Sequence, residues 1–84
     1  MSRHHELKIW PQYFEAVRSG VKRYEVRSND RVFQVGDEIN LREWDPAPAA
    51  YTGRTVSVKI VHVTDSTVWD FIPNWITIFG IELI

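Results

Sequence analysis

Only one stretch of this chain carries its apolar residues at a helical spacing. Trp10, Tyr13, Phe14 and Val17 fall at i, i+3, i+4 and i+7, a single stripe over two turns. Pro11 stands where helices start, because the first helical N–H has no intrahelical partner to lose. Gly20 stands where a left-handed residue would end it. After Gly20 the apolar period is two, with turn residues between short runs. A chain built this way must bury its apolar side chains on sheet faces, with one helix to help.

Segment by segment, Glu6–Trp10 alternates and reads as a first strand. Residues 22–27 place Tyr24 and Val26 on one face and Arg23, Glu25 and Arg27 on the other. Ser28-Asn29-Asp30 and Val35-Gly36-Asp37 are turns. In residues 38–44, Ile39 and Leu41 share a face opposite Asn40, Arg42 and Trp44. Residues 45–53, with Pro46, Pro48 and three alanines, are expected to form a loop. Val56, Val58 and Ile60 are in phase, but Val61 and Val63 are apolar too, and a bulge near Ile60 accounts for the slip. Residues 65–74 are weakly patterned around Pro73, and residues 75–83 are apolar on both faces, as in a central or barrel-closing strand. The expected architecture is α+β, mainly β: one domain over residues 1–84, a small, partly closed antiparallel barrel of five to six strands with one N-terminal helix plugging an end. Closure would remove sheet edges, which a strand-rich chain must guard.

Several classes of function are excluded at once. The 84 residues contain no cysteine, so there is no disulfide scaffold, thiolate metal site or thiol nucleophile. His4 and His5 are adjacent and have no acidic or histidine partner at ligand spacing, so no metal is expected. The four glycines are isolated and form no phosphate-cradling loop, so no cofactor is expected either. His62, inside a strand, is expected to make a structural hydrogen bond. The longest uncharged stretch, residues 71–81, is far short of the ~20 residues of a membrane span. Met-Ser-Arg-His-His-Glu lacks the apolar core of a secretory signal, and a cytoplasmic setting is the expectation.

The net charge is −1, which by itself points to no polyanion. Its distribution is uneven. Arg18, Lys22, Arg23, Arg27 and Arg31 face only Glu25 and Asp30 over residues 18–31, while Asp37, Glu38, Glu43 and Asp45 surround the lone Arg42 over residues 37–45. A basic edge and an acidic edge are expected, or two solvated faces that attract each other.

The stretch Gly20-Val21-Lys22-Arg23-Tyr24-Glu25-Val26-Arg27 puts a lysine, a carboxylate and an arginine close together after a capping glycine. On a regular strand Glu25 and Arg27 point one way and Lys22 the other. Lys22 joins them only if the strand begins after it and the turn re-aims its side chain. The bland alternative is a solvated face with an Arg23–Glu25–Arg27 ladder, worth about 1 kcal/mol or less.

The Gly-x-Lys-x-x-Glu-x-Arg spacing of Gly20, Lys22, Glu25 and Arg27 resembles the signature of ASCH domains, the activating signal cointegrator homology group. His5-Glu6-Leu7-Lys8-Ile9-Trp10-Pro11, Val35-Gly36-Asp37, Leu41-Arg42-Glu43-Trp44-Asp45, Tyr51-Thr52-Gly53-Arg54 and Gly80-Ile81-Glu82 are similar to a compact branch of that family in bacteria and their phages. The resemblance implies a PUA-like barrel that binds RNA in a cleft lined by the Lys/Glu/Arg set. Some small members hydrolyse the acetyl amide of N4-acetylcytidine with a lysine, a threonine and a distant glutamate. Lys22 stands at that lysine, Glu25 occupies the threonine position, and the distant glutamate has no counterpart.

For a nucleotide ligand, Arg27 can fork onto a phosphate or base edge and Lys22 can neutralise a second phosphate. Glu25 can accept from an exocyclic amine. Trp44, beside Arg42, offers a stacking surface, and Tyr51 on the Ala/Pro loop can fold over a ligand; alternatively Trp44 is a rim residue packed under that loop. Trp69, Phe71 and Trp75 are expected in the core or, where exposed, as a patch for a protein partner or homodimer. Three functions follow as expectations. They are an RNA- or nucleotide-binding module using Lys22, Glu25, Arg27, Arg42, Trp44 and Tyr51; a small amidohydrolase on an acylated nucleoside with Lys22 and Glu25 catalytic; and a phage-borne protein-interaction domain.

Overall fold

The structure, a computed structural model, describes residues 3–84. Met1 and Ser2, part of the N-terminal stretch on which the signal reading rests, lie outside the described residues. The elements run β1 (His4–Ile9), α1 (Pro11–Arg18), β2 (Tyr24–Ser28), β3 (Glu38–Asp45), β4 (Ala50–Asp65) and β5 (Ile76–Leu83). The five strands form one sheet in the order β1-β3-β4-β5-β2, curled into a half-barrel. Among the described residues no helix is long and apolar enough to cross a membrane.

The curl has local causes. In β4 the register with β5 shifts between Ile60 and His62, which leaves Val61 as the extra residue of a bulge. A bulge bends its strand and increases the twist. It also explains the slipped phase: Val56, Val58 and Ile60 face inward before it and Val63 after it. A second irregularity sets Glu43 of β3 against Thr52, Gly53 and Arg54 of β4, with Gly53 at φ +93°.

One expectation about pairing fails. β1 runs parallel to β3, so the sheet is mixed rather than antiparallel. A parallel neighbour needs a long crossover, and α1, β2 and the turn after it supply the intervening chain. That crossover leaves β1 and β2 as the two edges of the sheet. The expected loop over residues 45–53 is also too long. The turn ends at Ala49, which takes φ 56°, and Tyr51 already belongs to β4, opposite Trp44.

The core lies inside the curl. Leu7, Ile9, Ile39, Leu41, Val58, Ile60, Phe79 and Ile81 fill it from the sheet, and α1 adds Phe14 and Val17. Full burial of a side chain of this size contributes about 1.5–3 kcal/mol. The helical stripe is therefore only half a core stripe, because Trp10 and Tyr13 are exposed. Gly20 follows the helix at φ +83°, and the Gly20 and Lys22 amides donate to the carbonyls of Val17 and Ala16. Together these fold the chain sharply back toward β2.

Two buried carboxylates, each with partners distant in sequence, hold the ends of the fold. His5 Nε2 lies 2.8 Å from Asp37 Oδ2, and Asp37 also accepts from the Arg3 and Gln34 amides. Burial pushes the Asp37 carboxyl up, but the His5 contact and the two amides outweigh it and hold it below its usual value. At the other end Arg54 grips Glu43 with Nε and Nη2 at 2.9 and 2.8 Å and reaches Glu15 of α1 at 2.8 Å. The expected acidic edge is corrected here. Asp37 and Glu43, half of that acidic run, are inside the protein with cationic or histidine partners.

The aromatic cluster near Pro73 is not core. Trp69 and Phe71 stack with their centroids 5.5 Å apart and project into solvent, Phe71 at 75% exposure. Trp75 is exposed as well, and Ile72 alone anchors the segment. His62 is likewise exposed on the strand surface.

Candidate functional site: a cleft between the sheet edges

Because β1 and β2 are sheet edges, the barrel is open between them. The opening is a cleft of about 580 Å³ bounded by β1, the start of α1 and β2. Glu25 sits at its base with only 4% of its surface exposed. Its two oxygens have different partners. Lys22 Nζ bonds Oε1, and Arg27 Nε donates to Oε2 at 3.0 Å. Arg27 Nη2 reaches on to the Lys8 carbonyl of β1 at 2.7 Å, a single side-chain bridge across the gap.

Lys22 joins this group for the reason the sequence offered. The strand begins at Tyr24, so Lys22 belongs to the turn and its side chain swings to the same side as Glu25. Lys22 Nζ also donates to the Tyr24 carbonyl at 2.8 Å. Arg23 does not take part. Its Nε donates to the Gly20 carbonyl, so the solvated Arg23–Glu25–Arg27 ladder is corrected.

β2 is amphipathic in the unexpected sense. Tyr24 and Val26 face out and are about half exposed, while Glu25 and Arg27 face the interior beside Phe79 and Thr77 of β5. Inward charge is costly unless paired, and here it is paired. Charges that point inward also discourage a second chain from adding to an edge strand.

The rim of the cleft is aromatic. Trp10, Tyr13 and Tyr24 line it, all about half exposed. The Lys22 ammonium lies 4.8 Å from the Tyr24 ring centroid and 5.8 Å from that of Tyr13. Sequence reasoning missed these three as site residues. Trp10 and Tyr13 share the helical stripe with Phe14 and Val17, so their spacing alone marks them as core. The eight-residue helix buries only Phe14 and Val17 of the stripe, and Trp10, just before its first residue, and Tyr13 stay at the surface.

The other expected site residues are elsewhere. Arg42, Trp44 and Tyr51 lie together on the outer face of β3 and β4 and do not line the cleft. The Arg42 guanidinium sits 3.8 Å from the Tyr51 ring centroid. Lys8 Nζ lies 4.5 Å from the Trp44 centroid and 5.9 Å from that of Tyr51. Among the described residues no group of three or more His, Cys, Asp or Glu side chains is placed to hold a metal.

Residues 4–81 match the profile of the family described as "Domain of unknown function (DUF3850)". The chain belongs to this family. The match runs from the first residue of β1 almost to the end of β5, so it spans both cleft edges and the half-barrel between them. The DUF3850 chain is also 41% identical over 69 residues to the "Uncharacterized 12.9 kDa protein in GpA 3'region" of Escherichia phage P2. The aligned part is 82% of this chain and 62% of that relative, so the relative is the longer protein.

Proposed function

We propose that this domain is an RNA- or nucleotide-binding module, a small barrel of the PUA-like kind that resembles ASCH domains, with its ligand site in the β1/β2 cleft. The observation that carries the reading is the inverted strand β2, which aims a Lys22–Glu25–Arg27 group into an open cleft with an aromatic rim. Trp10, Tyr13 and Tyr24 give a base flat surfaces, and each stacked base is worth about 1–3 kcal/mol. Each Glu25 oxygen has a further lone-pair direction with which to accept from an exocyclic amine. Lys22 and Arg27 supply the positive charge that a phosphate needs. A volume near 580 Å³ falls within the range of small-ligand sites.

The Lys22–Glu25 contact favours a second reading, hydrolysis of an acylated nucleoside. Glu25 would take a proton from water as it attacks the acyl carbon, Lys22 would stabilise the oxyanion, and the released amine would recover the proton. Arg27 on the same carboxylate favours binding over that role, because it ties the base to a structural bridge.

Two-dimensional NMR titration separates these readings. Mixed-sequence RNA should move the Trp10 indole and the amides of residues 22–27, with the affinity falling at a log–log salt slope near −2 if about three phosphates are engaged. Unmoved signals at these positions would overturn the binding reading. Free cytidine and acetate appearing from N4-acetylcytidine, and lost in Glu25→Gln, would establish the hydrolase instead.

A further inference from the structure

The outer face beside the cleft holds two cations that, among the described residues, pair with no carboxylate. Lys8 and Arg42 are neighbours across the β1/β3 pairing, and Trp44 and Tyr51 are neighbours across β3/β4. Each cation lies on an aromatic ring: Lys8 on Trp44 at 4.5 Å, Arg42 on Tyr51 at 3.8 Å. Arg18, Lys22, Arg27, Arg31 and Arg54 have carboxylate partners; Arg3, Arg23 and Lys59 have none among the described residues, but only Lys8 and Arg42 combine that with an aromatic ring beneath them on this face. A guanidinium 3.8 Å above a tyrosine ring is held by that contact, and a guanidinium plane is a surface on which a nucleobase can stack.

This face is continuous with the cleft through Lys8. The Lys8 carbonyl receives the Arg27 bridge on the cleft side, and its side chain lies over Trp44 on the outer side. We propose that the Lys8/Arg42/Trp44/Tyr51 face is a second subsite for single-stranded nucleic acid. One nucleotide occupies the cleft, the strand crosses the β1 edge with a phosphate at Lys8, and the next base stacks on the Arg42–Tyr51 and Trp44 surfaces. The charge complementarity of two unpaired cations with a phosphate chain selects this occupant. The inference rests on the reading of the cleft as a nucleotide site.

The test compares a nucleoside monophosphate with di- and trinucleotides of mixed-sequence RNA on the full chain at low salt. Lengthening the ligand should raise affinity by about 5- to 150-fold, the gain expected from one stacked base. Trp44→Ala and, separately, Arg42→Gln should remove most of that gain and leave mononucleotide affinity within about twofold. Arg42→Gln keeps the stem and much of the packing, so it serves if the tryptophan variant fails to fold. A trinucleotide that binds no better than the mononucleotide overturns the subsite and leaves the cleft standing. A gain that survives both substitutions does the same. Absence of binding by every ligand, with the Trp10 indole unmoved, overturns the cleft reading and the subsite with it.

Discussion

Arg27 on β2 and Lys8 on β1 are separated by the whole width of the sheet in strand order, yet the Arg27 Nη2 lies 2.7 Å from the Lys8 carbonyl. The curl of the sheet brings its two edges that close, and one guanidinium spans what remains. Because the same guanidinium holds Glu25, the bridge between the edges and the charge in the cleft are one structure.

Replacing that guanidinium should show it. Arg27→Lys can keep one of the two contacts but not both, since an ammonium has no rigid fork. A loss of about 1.5–3 kcal/mol is expected in urea unfolding, the range for one hydrogen bond to a charged group. Glu25→Ala should cost more, because it leaves Lys22 and Arg27 without their counter-ion. Equal stability of all three proteins would show that the bridge contributes nothing to closure.

Acid should weaken the Glu43–Arg54 end of the half-barrel. The Arg54 guanidinium and then the Thr52 hydroxyl hold the Glu43 carboxyl down at about 2, against an ordinary value of 4.5. A depressed carboxylate contributes stability above its unfolded value, and that contribution drains away as the pH falls from near 4.5 through about 2. Glu15, lowered chiefly by Arg18 and then by Arg54, adds to the same limb. Wild type should therefore exceed Glu43→Gln at pH 6 and converge toward it near pH 2. A gap that stays constant over this range would show that Glu43 is not what titrates.

Gly20 couples the backbone to the cleft. Its φ of +83° lies in the left-handed region, and a Cβ there would meet nothing within 4 Å. Gly20→Ala is thus a test of conformation without clash, with an expected cost of about 1–2 kcal/mol. Gly20→Asn should recover part of it, since asparagine tolerates this region. If the turn aims Lys22, ligand affinity should track stability through the three variants at the concentrations where all are folded. Full retention of both in Gly20→Ala would disprove the coupling.

The exposed aromatic pair should be dispensable for folding. Substituting Trp69 and Phe71 together by serine removes a stacked contact in solvent and no core packing. The free energy of unfolding should change by no more than a surface substitution does, about 0.5 kcal/mol per site. Ile72→Ala next to them should cost several times more, because Ile72 is buried. The opposite ranking would mean that the aromatics, not Ile72, anchor the segment.

Much of the fold is legible in the chain because its physical causes are local. Pro11, the apolar stripe and Gly20 delimit the helix, and the double phase of residues 55–63 reports the bulge. The pairing of β1 with β3 is not local. It depends on a crossover whose geometry no short window contains. The same distinction applies to charge. Asp37 and Glu43 read as surface acids until His5 and Arg54, distant in sequence by 32 and 11 residues, take them inside. Trp44 and Tyr51 are legible only as separate candidate ligand contacts, one on a strand and one on a loop; their pairing across β3 and β4 depends on where the turn between those strands ends.

By itself the sequence determined that this chain is mainly β with a short helix near its start, and that Lys22, Glu25 and Arg27 stand close after a tight glycine turn. Periodicity, capping and turn chemistry act over a few residues, so they can be read one window at a time. Only the tertiary structure decided that the charged face of β2 points inward, that Trp10, Tyr13 and Tyr24 form the rim around it, and that Arg42, Trp44 and Tyr51 lie outside. Which face of an edge strand turns inward is set by how the whole sheet curls and by which partners can satisfy a buried charge, and those partners come from β1 and from the turn that precedes the strand.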